Sequence, residues 1–130
     1  MSTFSTPVQV GDLAGERFVD LEAVVDTGAS DTFLPGDVLD RLGIARIERR
    51  PYELAEGSTI DYDVGQARIR IDGRERFVLV VFGPEDVTPL LGATTLELFH
   101  LGVDPVGHRL IPVPGMLRGT GAGGGRGGDA

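Results

Sequence analysis

Ala23-Val24-Val25-Asp26-Thr27-Gly28-Ala29-Ser30-Asp31-Thr32-Phe33-Leu34 carries the chain from an apolar run straight into a carboxylate, and then back to apolar residues. A short apolar run bounded by turn residues reads as a buried strand. Its end would deliver Asp26 to a place with little water, where an acid is unfavourable unless it is paired, hydrogen-bonded or neutralised. Thr27 supplies a hydroxyl that can donate and accept. Gly28 lets the backbone turn sharply and approach a ligand or a second chain. An acid at the mouth of a strand, on a glycine loop, is a functional candidate.

On both sides of this loop the pattern is that of a mainly β chain. Upstream, residues 1–7 read as extended or loose, Val8–Val10 as a short strand, and Arg17–Val25 as a strand entering the core. Downstream, Thr32–Leu34 is a brief strand, and Pro35-Gly36-Asp37 opens a short helix, Asp37–Leu42. Val38, Leu39 and Leu42 share one face of that helix, and Gly43 is its C-terminal cap. Ile44–Arg50 alternates as an exposed strand would. Tyr52–Ala55 and Thr59–Val64 flank Glu56-Gly57-Ser58 as a hairpin. Arg68–Ile71 alternates strictly, Asp72-Gly73 is a two-residue hairpin signal, and Phe77–Phe82 predicts a central strand. Thr94-Thr95-Leu96-Glu97 fits the capping box of a second helix ending near Gly102. A last hairpin follows, Val103 and Arg109–Val113 around a turn at Asp104–Gly107. The domain is predicted to span residues 1–114; from 115 to 130 glycine dominates and predicts a flexible tail that cannot offset its ordering entropy.

Composition narrows the chemistry. With 130 residues the chain has room for one domain. It has no cysteine, hence no disulfide framework, thiolate metal site or cysteine nucleophile. All 12 basic residues are arginine, which excludes a Schiff-base or phosphate-loop lysine. The net charge of −8 argues against nucleic acid as the partner. No window is long and apolar enough to cross a bilayer, and Met1–Val10 does not read as a secretion signal, so a cytoplasmic, membrane-free protein is expected. Arg46, Arg49 and Arg50 could bind an anion or form a solvated face. His100 and His108 show no metal-ligand clustering, and no metal or cofactor is expected.

Asp26-Thr27-Gly28-Ala29, between an apolar strand and a brief one, resembles the active-site loop of aspartic proteases, most closely the retroviral (retropepsin) branch. Pro89-Leu90-Leu91-Gly92 followed by a helix at Ala93–Leu98 is similar to the apolar-apolar-Gly segment and helix that complete that fold, and Tyr52–Ile71 can be read as its flap. The resemblance covers residues 7–113. It implies a single-lobed acid-protease fold, a closed β-barrel with one or two short helices, with Leu90, Leu91 and Gly92 supporting the fold.

The same resemblance implies Asp26 as the catalytic acid of an aspartic endopeptidase. Carboxylate-driven peptide hydrolysis needs two acids, which share a proton and titrate as a pair. The sequence has one Asp-Thr-Gly loop, so the second acid would come from another copy, in a homodimer with Asp26 facing its twin across a two-fold axis. Thr27 would hydrogen-bond across the axis and Gly28 would present its amide to the acid or substrate. Ala29, Ser30 and Asp31 would line the cleft of a peptide or protein substrate bound as an added strand, and Ala55, Glu56, Gly57 and Ser58 would form the flap tip. Retroviral enzymes pair an acid and an arginine at the positions held here by Ser30 and Ala93. Both partners are missing together, so no lone charge is stranded.

Two other readings remain. A module of the same fold could bind peptides or dimerise without catalysis, since fold does not fix function. An Asp-x-Gly phosphate loop occurs in actin-like and sugar-kinase ATPases, but that fold needs two large domains, far more than this chain has.

Overall fold

A computed structural model describes residues 3–115. The chain opens with an antiparallel hairpin of β1 (Phe4–Gly11) and β2 (Phe18–Val25), in register from Phe4 opposite Val25 to Gly11 opposite Phe18. Next come β3 (Thr32–Pro35), α1 (Gly36–Arg41), β4 (Glu48–Glu53), β5 (Thr59–Ile71) and β6 (Arg74–Gly83). The last elements are β7 (Leu90–Leu91), α2 (Ala93–Leu98), β8 (Leu101–Asp104) and β9 (Arg109–Pro112).

Seven strands form one sheet in the order β1-β2-β7-β3-β6-β5-β4, and β1 also pairs with β5. The sheet therefore closes on itself as the mainly β acid-protease fold predicts, with β4 left as its edge. The long β5 makes closure possible. One edge, Val64–Ile71, pairs with β6; the other pairs with β4 over Thr59–Val64 and with β1 over Arg68–Arg70. β8 and β9 form a separate two-stranded sheet.

Side-chain alternation explains the closure. Ala67, Ile69 and Ile71 of β5 point into the core, where they meet Val8, Val10, Ala23, Val25, Leu34, Val80, Leu91 and Phe99. Arg68 and Arg70 point outward, and both bond Glu75, at 2.6 and 2.7 Å. These two arginines hold the Glu75 carboxyl below its ordinary value, Arg70 being the larger influence. Asp72 and Gly73 both adopt positive φ, +54° and +79°, as a two-residue hairpin turn with right-handed twist requires.

Four local expectations need correction. The first strand starts at Phe4, not Val8, so of the two readings, extended or loose, residues 4–7 are extended; Pro7 lies where β1 pairs with β2 alone, so its missing donor interrupts no second ladder. Ile44–Ile47 is not strand. Ile44 is buried and its N–H bonds the Leu39 carbonyl, so β4 begins at Glu48 and runs through Pro51 to Glu53 as one strand. Thr94-Thr95-Leu96-Glu97 is not a capping box, because α2 starts at Ala93 with Gly92 as an N-cap that has no side-chain bond. That helix ends at Leu98, and His100 at a φ of +53° turns the chain into β8, which contains Gly102. The predicted tail falls, from residue 116 on, outside the described residues. No helix among the described residues is long and apolar enough to cross a membrane.

Candidate active site

Asp26 leaves β2 at the point where β2 runs parallel to β7, with Val25 beside Leu91. The Asp26 N–H donates to the Leu91 carbonyl at 3.0 Å, so the apolar pair Leu90-Leu91 fixes the backbone of the acid. Asp26 is a partly buried residue. Its Oδ1 accepts the Gly28 N–H at 2.9 Å, and its backbone carbonyl accepts the Ala29 N–H at 3.2 Å. The Gly28 amide is thus spent on the acid, one of the two roles expected of it. A Cβ at Gly28 would stand 3.2 Å from Oδ1, so a side chain there would crowd the carboxylate.

The loop is then fastened to α2. The carbonyls of Ala29 and Ser30 accept the N–H groups of Ala93 and Thr94, at 2.8 and 3.0 Å, which satisfies two orphan donors of the helix. Ser30 and Ala93 each take part in this clamp through their backbone. The Ala29 and Ser30 carbonyls are thereby both engaged within the subunit. Behind the clamp lies a buried polar knot: the hydroxyls of Thr32 and Thr95 are 2.6 Å apart, and the Gly92 N–H donates to Thr32 Oγ1 at 3.1 Å. Gly92 is required there, since a Cβ would fall 2.4 Å from the Asp31 carbonyl oxygen.

Thr27 remains exposed and, with Phe4, Val25, Val103, Pro105 and His108, lines a cleft beside the β8–β9 turn. At the other candidate region, the turn after β4 closes on itself. Leu54 N–H bonds Ser58 O at 2.8 Å, Gly57 N–H bonds Leu54 O at 2.9 Å, and Gly57 has a φ of +100°. The Glu56 carboxylate accepts the Ser58 hydroxyl and amide, which hold its pKa below the ordinary value. Ala55, Glu56, Gly57 and Ser58 are all exposed.

The structure thus brings Asp26–Asp31 together with Leu90–Gly92, and leaves residues 55–58 at a hairpin tip. Sequence reasoning gave no site role to Tyr52, whose hydroxyl donates to Asp31 Oδ2 at 2.7 Å. Its ring packs edge-on against Phe33 at 5.2 Å between centroids, and Phe33 meets Tyr62 in the same way at 5.7 Å. Burial and, secondarily, the Asp31 bond push the Tyr52 phenol up to about 12. An aromatic residue on each flap strand was the available signal, but only the register that sets Arg50 opposite Tyr62 and Tyr52 opposite Ile60 makes them neighbours.

Arg46, Arg49 and Arg50 are exposed and paired with carboxylates, which fits a solvated face better than an anion site. Arg46 bridges Asp40 and Asp63, both at 2.7 Å, Arg49 lies 3.5 Å from Asp63, and Arg50 bonds Glu48 at 2.7 Å. His108 stacks on Phe4 with centroids 6.4 Å apart. Among the described residues no three His, Cys, Asp or Glu side chains cluster to hold a metal ion.

Residues 15–97 match the model of the family described as "gag-polyprotein putative aspartyl protease". The chain belongs to this family. In this gag-type aspartyl protease domain the match takes in β2, the Asp26 loop, the β4–β5 hairpin and Leu90–Gly92, and it stops short of β8 and β9. Among solved structures, EIAV protease complexed with the inhibitor HBY-793 is similar in fold, with a TM-score of 0.54 and 20% identity over 75% of this chain and 88% of that one. A search of the curated proteins returns no match.

Proposed function

We propose that two copies of this chain assemble one active site and hydrolyse peptide bonds, each contributing Asp26. One carboxylate removes a proton from water as its oxygen attacks the scissile carbonyl carbon. The other, protonated, donates to the carbonyl oxygen; collapse of the tetrahedral diol breaks the C–N bond and the amine leaves with a proton. Only carboxylates and water take part, so no cofactor is called for.

One observation carries this reading. Within an aspartyl protease family, the single Asp-Thr-Gly loop has its backbone satisfied inside the subunit, by β7 and α2, while Thr27 lies exposed beside a half-buried Asp26. A loop held from behind and open in front suits a partner that brings the same loop. Thr27 is then available to bond across the axis. The β4–β5 hairpin, with its glycine-containing tip at Ala55–Ser58, would cover a peptide lying beside Asp31.

Sedimentation equilibrium on wild type and Asp26→Asn, with a peptide-library cleavage assay on the same samples from acid to neutral pH, tests the proposal. The expected result is two dimers, of which only wild type cuts. The asparagine oxygen can still accept the Gly28 N–H, so the substitution should spare the fold. Cleavage that survives Asp26→Asn, or a wild type that stays monomeric at high concentration, overturns it. A dimer that binds peptides and cuts none would make the chain a non-catalytic module.

A further inference from the structure

β4 is the edge of the sheet, and the first five residues of β5, Thr59–Asp63, pair with β4 alone before Val64 meets β6. The ribbon of residues 48–63 therefore projects beyond the closed sheet. The register puts Tyr52 opposite Ile60 and Arg50 opposite Tyr62, so Tyr52, Ile60 and Tyr62 lie on one face of it. That face meets the body at Phe33 and at the carboxylate of Asp31. Asp31 is the residue immediately before Thr32, whose hydroxyl is locked to Gly92 and Thr95 in the core. A hydrogen bond thus connects a projecting ribbon to the end of the candidate active-site loop that is anchored in the core through Thr32, five residues from Asp26.

We infer that Tyr52 is a positioning residue: its hydroxyl, held by Asp31, sets the height at which the β4–β5 ribbon closes over the Asp26 loop. The inference rests on the protease reading for its consequence in catalysis, but not for the fastening itself. Tyr52 touches no reacting atom in this scheme. It acts by deciding how often the ribbon is closed, and so how tightly a peptide is retained rather than how fast a retained peptide reacts. Phe33 and Tyr62 hold the ring in place, so the ring packs whether or not the hydroxyl is present.

The test compares wild type, Tyr52→Phe, Asp31→Ala and the double variant as full chains. Tyr52→Phe keeps the ring and removes only the donor, so folding is preserved. Amide hydrogen exchange is followed in the ribbon, residues 48–63, and in β6 as an internal reference. Loss of one partly exposed bond to a charged group should speed ribbon exchange by about threefold to tenfold and leave β6 unchanged. The double variant should exchange no faster than the faster single, because the two groups act on each other. In cleavage assays KM should rise by a similar factor with kcat largely retained. Unchanged ribbon exchange in Tyr52→Phe, an equal rise in β6, or additive effects in the double variant would overturn the inference. A wild type that cuts no peptide overturns the protease reading instead, and the exchange result still decides whether the hydroxyl fastens the ribbon.

Discussion

Replacing Thr32 by valine removes one hydroxyl and should injure two other groups. Thr32 is fully buried and Thr95 is 2% exposed, so water cannot take over from a lost partner. In Thr32→Val the Gly92 N–H loses its acceptor and the Thr95 hydroxyl loses its neighbour. A buried polar group left without a partner costs about 1–3 kcal/mol, so two such groups should lower stability by about 2–5 kcal/mol. Thr95→Val is milder. Thr32 Oγ1 still accepts the Gly92 N–H, and the loss should be about 1 kcal/mol. The double variant leaves only the Gly92 N–H unpaired, so it should be more stable than Thr32→Val although it carries one substitution more. Urea unfolding at one fixed protein concentration reads this from the midpoints at constant slope. If Thr95→Val is as damaging as Thr32→Val, or if the double variant loses the sum of the two, the knot is not organised around Thr32 and the reasoning fails.

Gly92→Ala would set a Cβ against three backbone atoms of Asp31, at 2.4, 2.6 and 2.8 Å, none of which can swing away. It should cost about 3 kcal/mol or more in the same assay. Gly57→Ala meets nothing within 4 Å and should cost only the positive-φ strain, about 1–2 kcal/mol. Glu75 has a folded pKa below its ordinary 4.5 because of Arg70 and Arg68, so its contribution is complete above that value and is lost as pH falls through the folded one. The stability gap between wild type and Glu75→Gln should therefore hold at neutral pH and close in acid; a gap that persists in strong acid would contradict the ion pairs. Tyr52 has the opposite sign: its pKa is raised from 10.0 to about 12, so its stabilisation holds below 10.0 and fades as pH rises through about 12. In an alkaline absorbance titration, Tyr52→Phe should remove a late-ionising step.

Residues adjacent in the chain made much of this molecule legible. The apolar run into Asp26, the Asp72-Gly73 turn, the alternation of Arg68–Ile71 and the helix ended by Gly43 each depend on a few neighbouring residues, whose backbone preference and polarity are fixed by their own chemistry. The errors lie where a distant partner overrode a local preference. Thr95 stands in what reads as a capping box, yet its hydroxyl faces Thr32, 63 positions away, and the donors of the helix are taken by Ala29 and Ser30. The first strand reads as Val8–Val10 until its pairing with β2 carries it back to Phe4, through Pro7, where β1 has no second partner.

By itself, then, the sequence determined the β-rich class, the family pattern around Asp26, and the presence of one acid loop per chain, because each is written in contiguous residues. Only the tertiary structure decided what holds that loop and which hairpin is bonded to it. The clamp to α2, the Thr32–Thr95 knot and the bond from Tyr52 to Asp31 all join residues more than 20 positions apart. Such pairs depend on strand register and sheet closure, which no local run of residues can specify.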